Sequence, residues 1–463
     1  MSEITNEQLT QWQRAAYGFG DFGFNLYWST VSFFILYFYT DVVGLSGTTA
    51  GLIFLVAMLW DAITDPAMGY LAQRTKTRWG SYRPYLLFGA FPLAVSLVLA
   101  FYNPNLEGAS LILYALFAHM LFRTAYSAVN IPYSALSARI TQSTKVRNSL
   151  AAWRVSLATV GSSLVAYSTL KLVEIFGQGD ASRGFFLTAT LYAAMSIPVF
   201  LLTFVATRES AQQVPVAESA DLRHSLADLL KNKPFMIIVA ATIFATLGGV
   251  LASKTLVYYF KYTIGVGTAV GTAFAASSLV ILIAAPFWAF VTAKTSKRLV
   301  WRAGALISIA GSLLLFLNPY ETVPVVVGIA ALSAFGAAAA HLTFWSALPD
   351  TVEYGELRNG RRDESLTFGV MGFIQKASYG VAAALAGLLL DLIGYEANGS
   401  QDQSTLDLLK VVMTLLPAGF ILVAFLIIGN YRLDQPTHER IVAILRRRST
   451  AGPLHVQASP PNT

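Results

Sequence analysis

The sequence has no cysteine in its 463 residues, which excludes disulfides, thiolate metal sites and a cysteine nucleophile. Charge is scarce as well. Only 12% of residues are Asp, Glu, Lys or Arg, against about 25% in a soluble domain. Histidine is limited to five residues, with no His-Glu-x-x-His pair and no serine, histidine and acid set at one depth, so no enzyme is expected. The N-terminal segment 2–14 has no long apolar run, so no cleavable signal peptide is expected there. What remains is 55% hydrophobic with a mean hydropathy of +0.56, the composition of a polytopic membrane protein.

Apolar runs long enough to cross a bilayer are expected at 17–40, 46–72, 83–102, 109–138, 148–173, 184–206, 235–260, 267–292, 299–317, 323–348, 364–393 and 407–430. The loops between them alternate. Segments 42–49, 103–109, 318–323 and 396–405 hold no Lys or Arg, whereas the opposite loops carry Arg74, Lys76, Arg78 and Arg83, then Arg139, Lys145 and Arg147. The net charge of +7 therefore reads as a topology signal, not as a nucleic-acid surface, and the basic loops and both termini are expected in the cytoplasm. The polar interruption 207–233, with its stripe Leu222, Leu226, Leu229 and Leu230, predicts a linker bearing a surface helix. It separates a six-span unit at 1–206 from a second at 234–431, and 432–463 is expected to be a partly disordered cytoplasmic tail. Tyr133-Ser134-Ala135-Leu136 recurs as Trp345-Ser346-Ala347-Leu348 at the same place in the second unit. Duplicated six-span bundles suit a carrier with its substrate at their interface.

Trp60-Asp61-Ala62-Ile63-Thr64-Asp65-Pro66 lies inside the second apolar run. Each intramembrane carboxylate costs roughly 2.5–3.5 kcal/mol on insertion scales, which marks a functional site. Asp61 and Asp65, four apart, share a helical face and repel unless a cation or a proton lies between them. Pro66 lacks the N–H that the Ala62 carbonyl would accept, which frees that oxygen for a ligand. Other polar residues at membrane depth are Asp21, Asn25, Arg123, Tyr126, Ser127, Asn130, Arg154, Lys254, His341 and Lys376. Trp345, with Trp60, Tyr133, Trp153 and Tyr379, supplies aromatic faces of the kind that cover sugars. On the basic-loop side, Arg83 on one unit and Asp350, Glu353 and Arg362 on the other are expected to pair as a gate when that side is shut.

Tyr17–Gly23, Tyr39–Leu45, Trp60–Pro66, Arg78-Trp79-Gly80 with Arg83-Pro84, Asn130-Ile131-Pro132, and Asp350–Gly355 with Lys376 together resemble the glycoside–pentoside–hexuronide:cation symporters, a branch of the major facilitator superfamily that includes the melibiose permease. The resemblance implies an all-α membrane fold of about twelve helices in two pseudo-symmetric six-helix bundles. It implies secondary symport of a sugar or glycoside with Na⁺ or H⁺, in a multi-pass inner-membrane protein that is monomeric and has no cofactor beyond the coupling ion. A lysolipid or other amphiphile is the alternative cargo. Asp61 and Asp65 match the family's cation ligands, with Ser127 and the Ala62 carbonyl beside them. Asp21, Asn25, Tyr126, Asn130, Arg154, Trp345 and Lys376 are the expected substrate residues. Asn25 and Asn130 stand where the melibiose permease has sugar-binding aspartates, Ser134 replaces its stacking tryptophan, and Gln73 replaces a loop aspartate, which argues against melibiose as the cargo.

Overall fold

The computed structural model describes residues 9–141, 143–209 and 222–450. Helix dominates because a chain in hydrocarbon must satisfy every backbone N–H and C=O within itself. Six long helices form the first half: α1 (Gln11–Tyr37), α2 (Gly47–Arg74), α3 (Arg83–Ala100), α4 (Gly108–Ile140), α5 (Thr144–Gly177) and α6 (Ala181–Ala206). A short amphipathic helix, α7 (Leu222–Leu230), carries the linker's leucine stripe. The second half comprises α8 (Lys233–Tyr258), α9 (Val270–Lys294), α10 (Lys297–Leu317), α11 (Val323–Asn359), α12 (Glu364–Leu392) and α13 (Gln403–Ile428). The tail forms a further helix, α14 (Gln435–Thr450), which the apolar runs do not predict; residues 451–463, where disorder is expected, lie outside the described ones. Ten of these helices are long and apolar enough to cross a membrane. The long helices α1 and α5 fall short by composition; they pack on each other, and Asp21 of one pairs with Arg154 of the other.

The halves meet through α2 on α12 and α5 on α9, which are one contact seen from either half, and through α1 on α8. Small residues set the approach. A Cβ on Gly387 would stand 1.9 Å from the Gly47 carbonyl oxygen, and one on Gly51 2.8 Å from that of Ala383. On the other seam, a Cβ on Gly271 would stand 2.5 Å from the Ala166 carbonyl. All three contacts lie toward the end of the bundle where α2 and α9 begin. Two more features seal that end. Asp391 of α12 caps the start of α2 across the seam, accepting from the N–H groups of Gly47 (2.8 Å) and Thr48 (2.7 Å). Each half's first helix also runs into a π-helical turn, Phe38–Val42 after α1 and Tyr259–Thr263 after α8. These turns bring Asp41 and Lys261 together at 2.7 Å. At the opposite end, α4 and α11 are not among the helix pairs that pack extensively among the described residues. The bundle is sealed at one end and open at the other.

Candidate functional site

Two carboxylates and a hydroxyl meet at the depth where the halves begin to part. Asp61 and Asp65 lie one turn apart on α2, and α4 presents Ser127 to both: its Oγ is 2.7 Å from Asp61 Oδ1 and 2.7 Å from Asp65 Oδ1. One hydroxyl proton serves one of them at a time. From the other half, α12 supplies Lys376. Its Nζ stands 2.8 Å from Asp61 Oδ2 and makes a hydrogen-bonded ion pair with Asp65 Oδ2. The ammonium holds the place between two like charges that the sequence assigns to a cation. Asp61 is buried, while the Asp65 and Lys376 side chains each keep 23% of their surface, so the cluster is reached from the Asp65 side. Helix α2 continues through Pro66, which leaves the Ala62 carbonyl without its helical donor, one turn from Asp65.

Lys376, expected among the substrate residues, meets the paired carboxylates here, because α12 approaches α2 closely enough for its side chain to reach both aspartates.

A second cluster lies on α1, α4 and α5. Asp21 forms a charge-assisted pair with the Arg154 Nε, and its other oxygen is 3.3 Å from Arg154 Nη2. The Tyr133 hydroxyl is 2.8 Å from Asp21 and 2.7 Å from the Tyr17 carbonyl. Gly20 makes this possible, since a Cβ there would sit 2.4 Å from the Tyr133 ring. Asn25 donates to the Asp21 carbonyl at 2.9 Å, along its own helix. Asn130 is half-buried one turn beyond Ser127 on α4. The Tyr126 ring packs between Phe24 and Trp28 (centroids 5.6 and 5.8 Å), and Trp28 reaches Tyr379 of α12 at 6.4 Å. These rings roof the space between the halves. Trp345 is 45% exposed and lies edge-on to Phe344 and His341 of its own helix, so its ring contacts join it to neither cluster.

The four residues expected as a gate are each engaged within their own half. Arg83 donates to the carbonyls of Phe204 (2.8 Å) and Trp79 (3.3 Å), while Glu209 accepts from the N–H groups of Ser81, Tyr82 and Arg83. Asp350 pairs with Lys297 at 2.6 Å, and Glu353 with His438 of α14. Arg362 reaches Glu356 (3.0 Å) and Glu364 (3.3 Å). None of these pairs crosses the seam, as fits an open end.

The polar network that does cross it escaped the sequence reading. At the sealed end the Asp41 carboxylate accepts from Lys261, Tyr262 (2.6 Å), Tyr395 (2.7 Å) and Thr40 (2.8 Å). Asn398 donates to the Asp41 carbonyl at 2.7 Å. In the sequence Asp41 stands out only as part of the Tyr39–Leu45 motif. A charged residue at the end of an apolar run looks like ordinary helix-end solvation until its partner from the other half is known.

A family model described as MFS/sugar transport protein matches residues 16–435. The chain belongs to this family. Its relatives include the isoprimeverose transporter of Lactiplantibacillus pentosus, 32% identical over 94% of this chain and 91% of that protein. Another is the Escherichia coli protein named as a putative glycoside/cation symporter, YagG, 30% identical over 95% of each chain. In fold the chain is similar to a bacterial homologue of the human lysosomal transporter Spinster in an inward-facing, unoccupied conformation. The TM-score is 0.68 with 12% identity, covering 95% of this chain and 99% of that one. The major facilitator fold and a transport role, not an enzymatic one, follow from membership.

Proposed function

We propose that this MFS transporter is a cation-coupled sugar symporter working by alternating access, with its open end in the cytoplasm and Asp61 and Asp65 as the cation ligands. The observation that carries the reading is the Lys376 ammonium between those carboxylates. Two acids deep in a bundle need one positive charge more than they need any particular one. Na⁺ entering among the Asp61 and Asp65 oxygens, the Ser127 hydroxyl and the Ala62 carbonyl meets a hard oxygen set. A proton on one carboxylate would serve the same end. Either displaces Lys376.

Because Lys376 is on α12 and the carboxylates on α2, its displacement loosens a tie across the seam and makes the cation a switch between conformations. The sugar then binds against Asp21, Arg154, Asn25, Asn130 and Tyr126 below the aromatic roof, where hydrogen-bonding groups and ring faces converge. Coupling follows by linkage: each ligand tightens the other by the same factor. The names of the relatives, an isoprimeverose transporter and a putative glycoside/cation symporter, support a sugar as cargo and a cation as driver. The basic loops at the open end support the cytoplasmic orientation.

The test is uptake of a panel of radiolabelled sugars and glycosides into vesicles with and without a Na⁺ gradient. Asp61→Asn and Asp65→Asn are expected to abolish accumulation while leaving sugar exchange in place. Normal accumulation by both variants refutes the assignment.

A further inference from the structure

Beyond the two clusters lies a third group of polar side chains that neither cation binding nor the sugar contacts use. One turn before Ser127 on α4, toward the sealed end, Arg123 is fully buried, and Nε, Nη1 and Nη2 find no hydrogen-bond acceptor among the described residues. Its guanidinium packs against ring faces, 5.0 Å from Trp28, 5.6 Å from Phe54 and 5.8 Å from Phe122. Lys254, on α8 of the other half, is buried with its Nζ 4.3 Å over the same Phe54 ring, and it donates to the Ser32 carbonyl. His119 lies edge-on to Phe54 at 5.4 Å, fully buried with both ring nitrogens unpartnered. Three basic side chains from both halves thus converge on one phenylalanine.

Asp61 and Asp65 act on the Arg123 charge through space, but neither gives it a hydrogen bond. Asp61 is engaged by Ser127 and Lys376, and Asp21 by Arg154 and Tyr133. Across the interior, three carboxylates (Asp21, Asp61, Asp65) face four bases (Arg123, Arg154, Lys254, Lys376), an excess of one positive charge that grows to two when a monovalent cation loads. A guanidinium cannot shed its proton, and cation–π contacts supply none of the five acceptors it can use. Burying such a group is strongly unfavourable unless some step of the working cycle provides an acceptor.

We propose that Arg123 and Lys254 form an anion subsite for the carboxylate of an acidic sugar, reached from the sealed end once that end opens. This rests on the sugar-symport reading and narrows the cargo to carboxylate-bearing glycosides. The two bases come from opposite halves and meet only where the halves close. An arriving carboxylate is therefore met by both as the seam shuts, and it cancels the repulsion that otherwise opposes closure. The planar guanidinium fits the carboxylate bidentately, and the ammonium serves as a point charge. The sugar ring then hangs below, beside Trp28, Tyr126 and the Asp21–Arg154 cluster. In the conformation seen here both bases are buried, away from the open end, which favours release of the cargo.

The experiment uses the full chain in proteoliposomes under an inward Na⁺ or H⁺ gradient. The probes are matched pairs: p-nitrophenyl β-D-glucoside against the β-D-glucuronide, and the galactoside against the galacturonide. The wild type is expected to take the acid member of at least one pair with a KM about tenfold lower than its neutral partner. Arg123→Gln should erase that preference, Lys254→Gln should reduce it, and Arg123→Lys should keep most of it. Should Arg123→Gln fail to fold, the Arg123→Lys and Lys254→Gln preferences decide alone. Gradient-driven uptake of neutral members with no acid preference overturns the anion subsite and leaves sugar symport standing. An equal loss for both members in the Arg123 and Lys254 variants overturns it too, by assigning the bases a structural role. Uptake of no sugar at all removes both readings.

Discussion

At Lys376 a single side chain decides how the central acids behave. On the proposed reading its ammonium and an incoming cation compete for the same oxygens, so removing it should expose the cation site in its unopposed form. Lys376→Ala is expected to lower the Na⁺ concentration for half-maximal effect by about tenfold, roughly 1.4 kcal/mol, and to weaken the link between cation loading and conformational change. The Na⁺ dependence of sugar binding and of sugar accumulation, measured together, checks both halves of that statement. Ser127 acts in the opposite direction. Its hydroxyl is shared between Asp61 and Asp65, and Ser127→Ala removes a buried donor worth about 1–2 kcal/mol. Cation affinity should fall several-fold, and Ser127→Thr should restore it because the hydroxyl returns on the same Cβ.

Among the elements, α2 and α12 carry the conformational question. Their approach depends on Gly47, Gly51 and Gly387 having no side chains, and on Asp391 capping a helix of the other half. Gly387→Val places atoms where the α2 backbone now lies, so the sealed end should be forced apart. Since the natural chain has no cysteine, Ala50→Cys reports this directly. The residue is fully buried beside the seam, and its labelling by a membrane-impermeant maleimide should be slow in the parent and fast with Gly387→Val. The π-helical turns give the same end a pH signature. Burial, followed by the adjoining Asp41 charge, pushes the Tyr395 hydroxyl well above its usual range. A raised pKa means the proton is kept. The Tyr395 contribution to the seal should hold in full up to pH about 10, the ordinary tyrosine value, and fade only as pH climbs through the raised one. Ala50→Cys labelling, normalised to an exposed reference cysteine to remove the effect of thiol ionisation, is expected to stay constant between pH 7 and about 9.5.

For the molecule as a whole, transport requires the sealed and open ends to exchange roles. Joining Thr48→Cys to Asp391→Cys with a short reducible cross-linker should stop transport, and reduction should restore it. At the other end Lys297 and His438 hold Asp350 and Glu353 within one half, and a gate of the expected kind would need these pairs to part.

Much of this architecture was legible from residues alone. Long apolar runs allow only helices in lipid, and alternating basic loops suggest an orientation. The Asp61–Asp65 spacing dictates a shared face whatever surrounds it. The local period of a helix fixes those relations, so one segment suffices to read them. The partners were a different matter. That Lys376 stands on both aspartates, that Asp41 meets Lys261, and that Arg123 and Lys254 share the Phe54 ring are contacts between segments up to hundreds of residues apart. Each depends on how closely two helices approach and at what rotation, which glycines at a seam set and no helical period encodes. The sequence determined which side chains are expensive to bury; the packing of one half on the other decided which charges answer them.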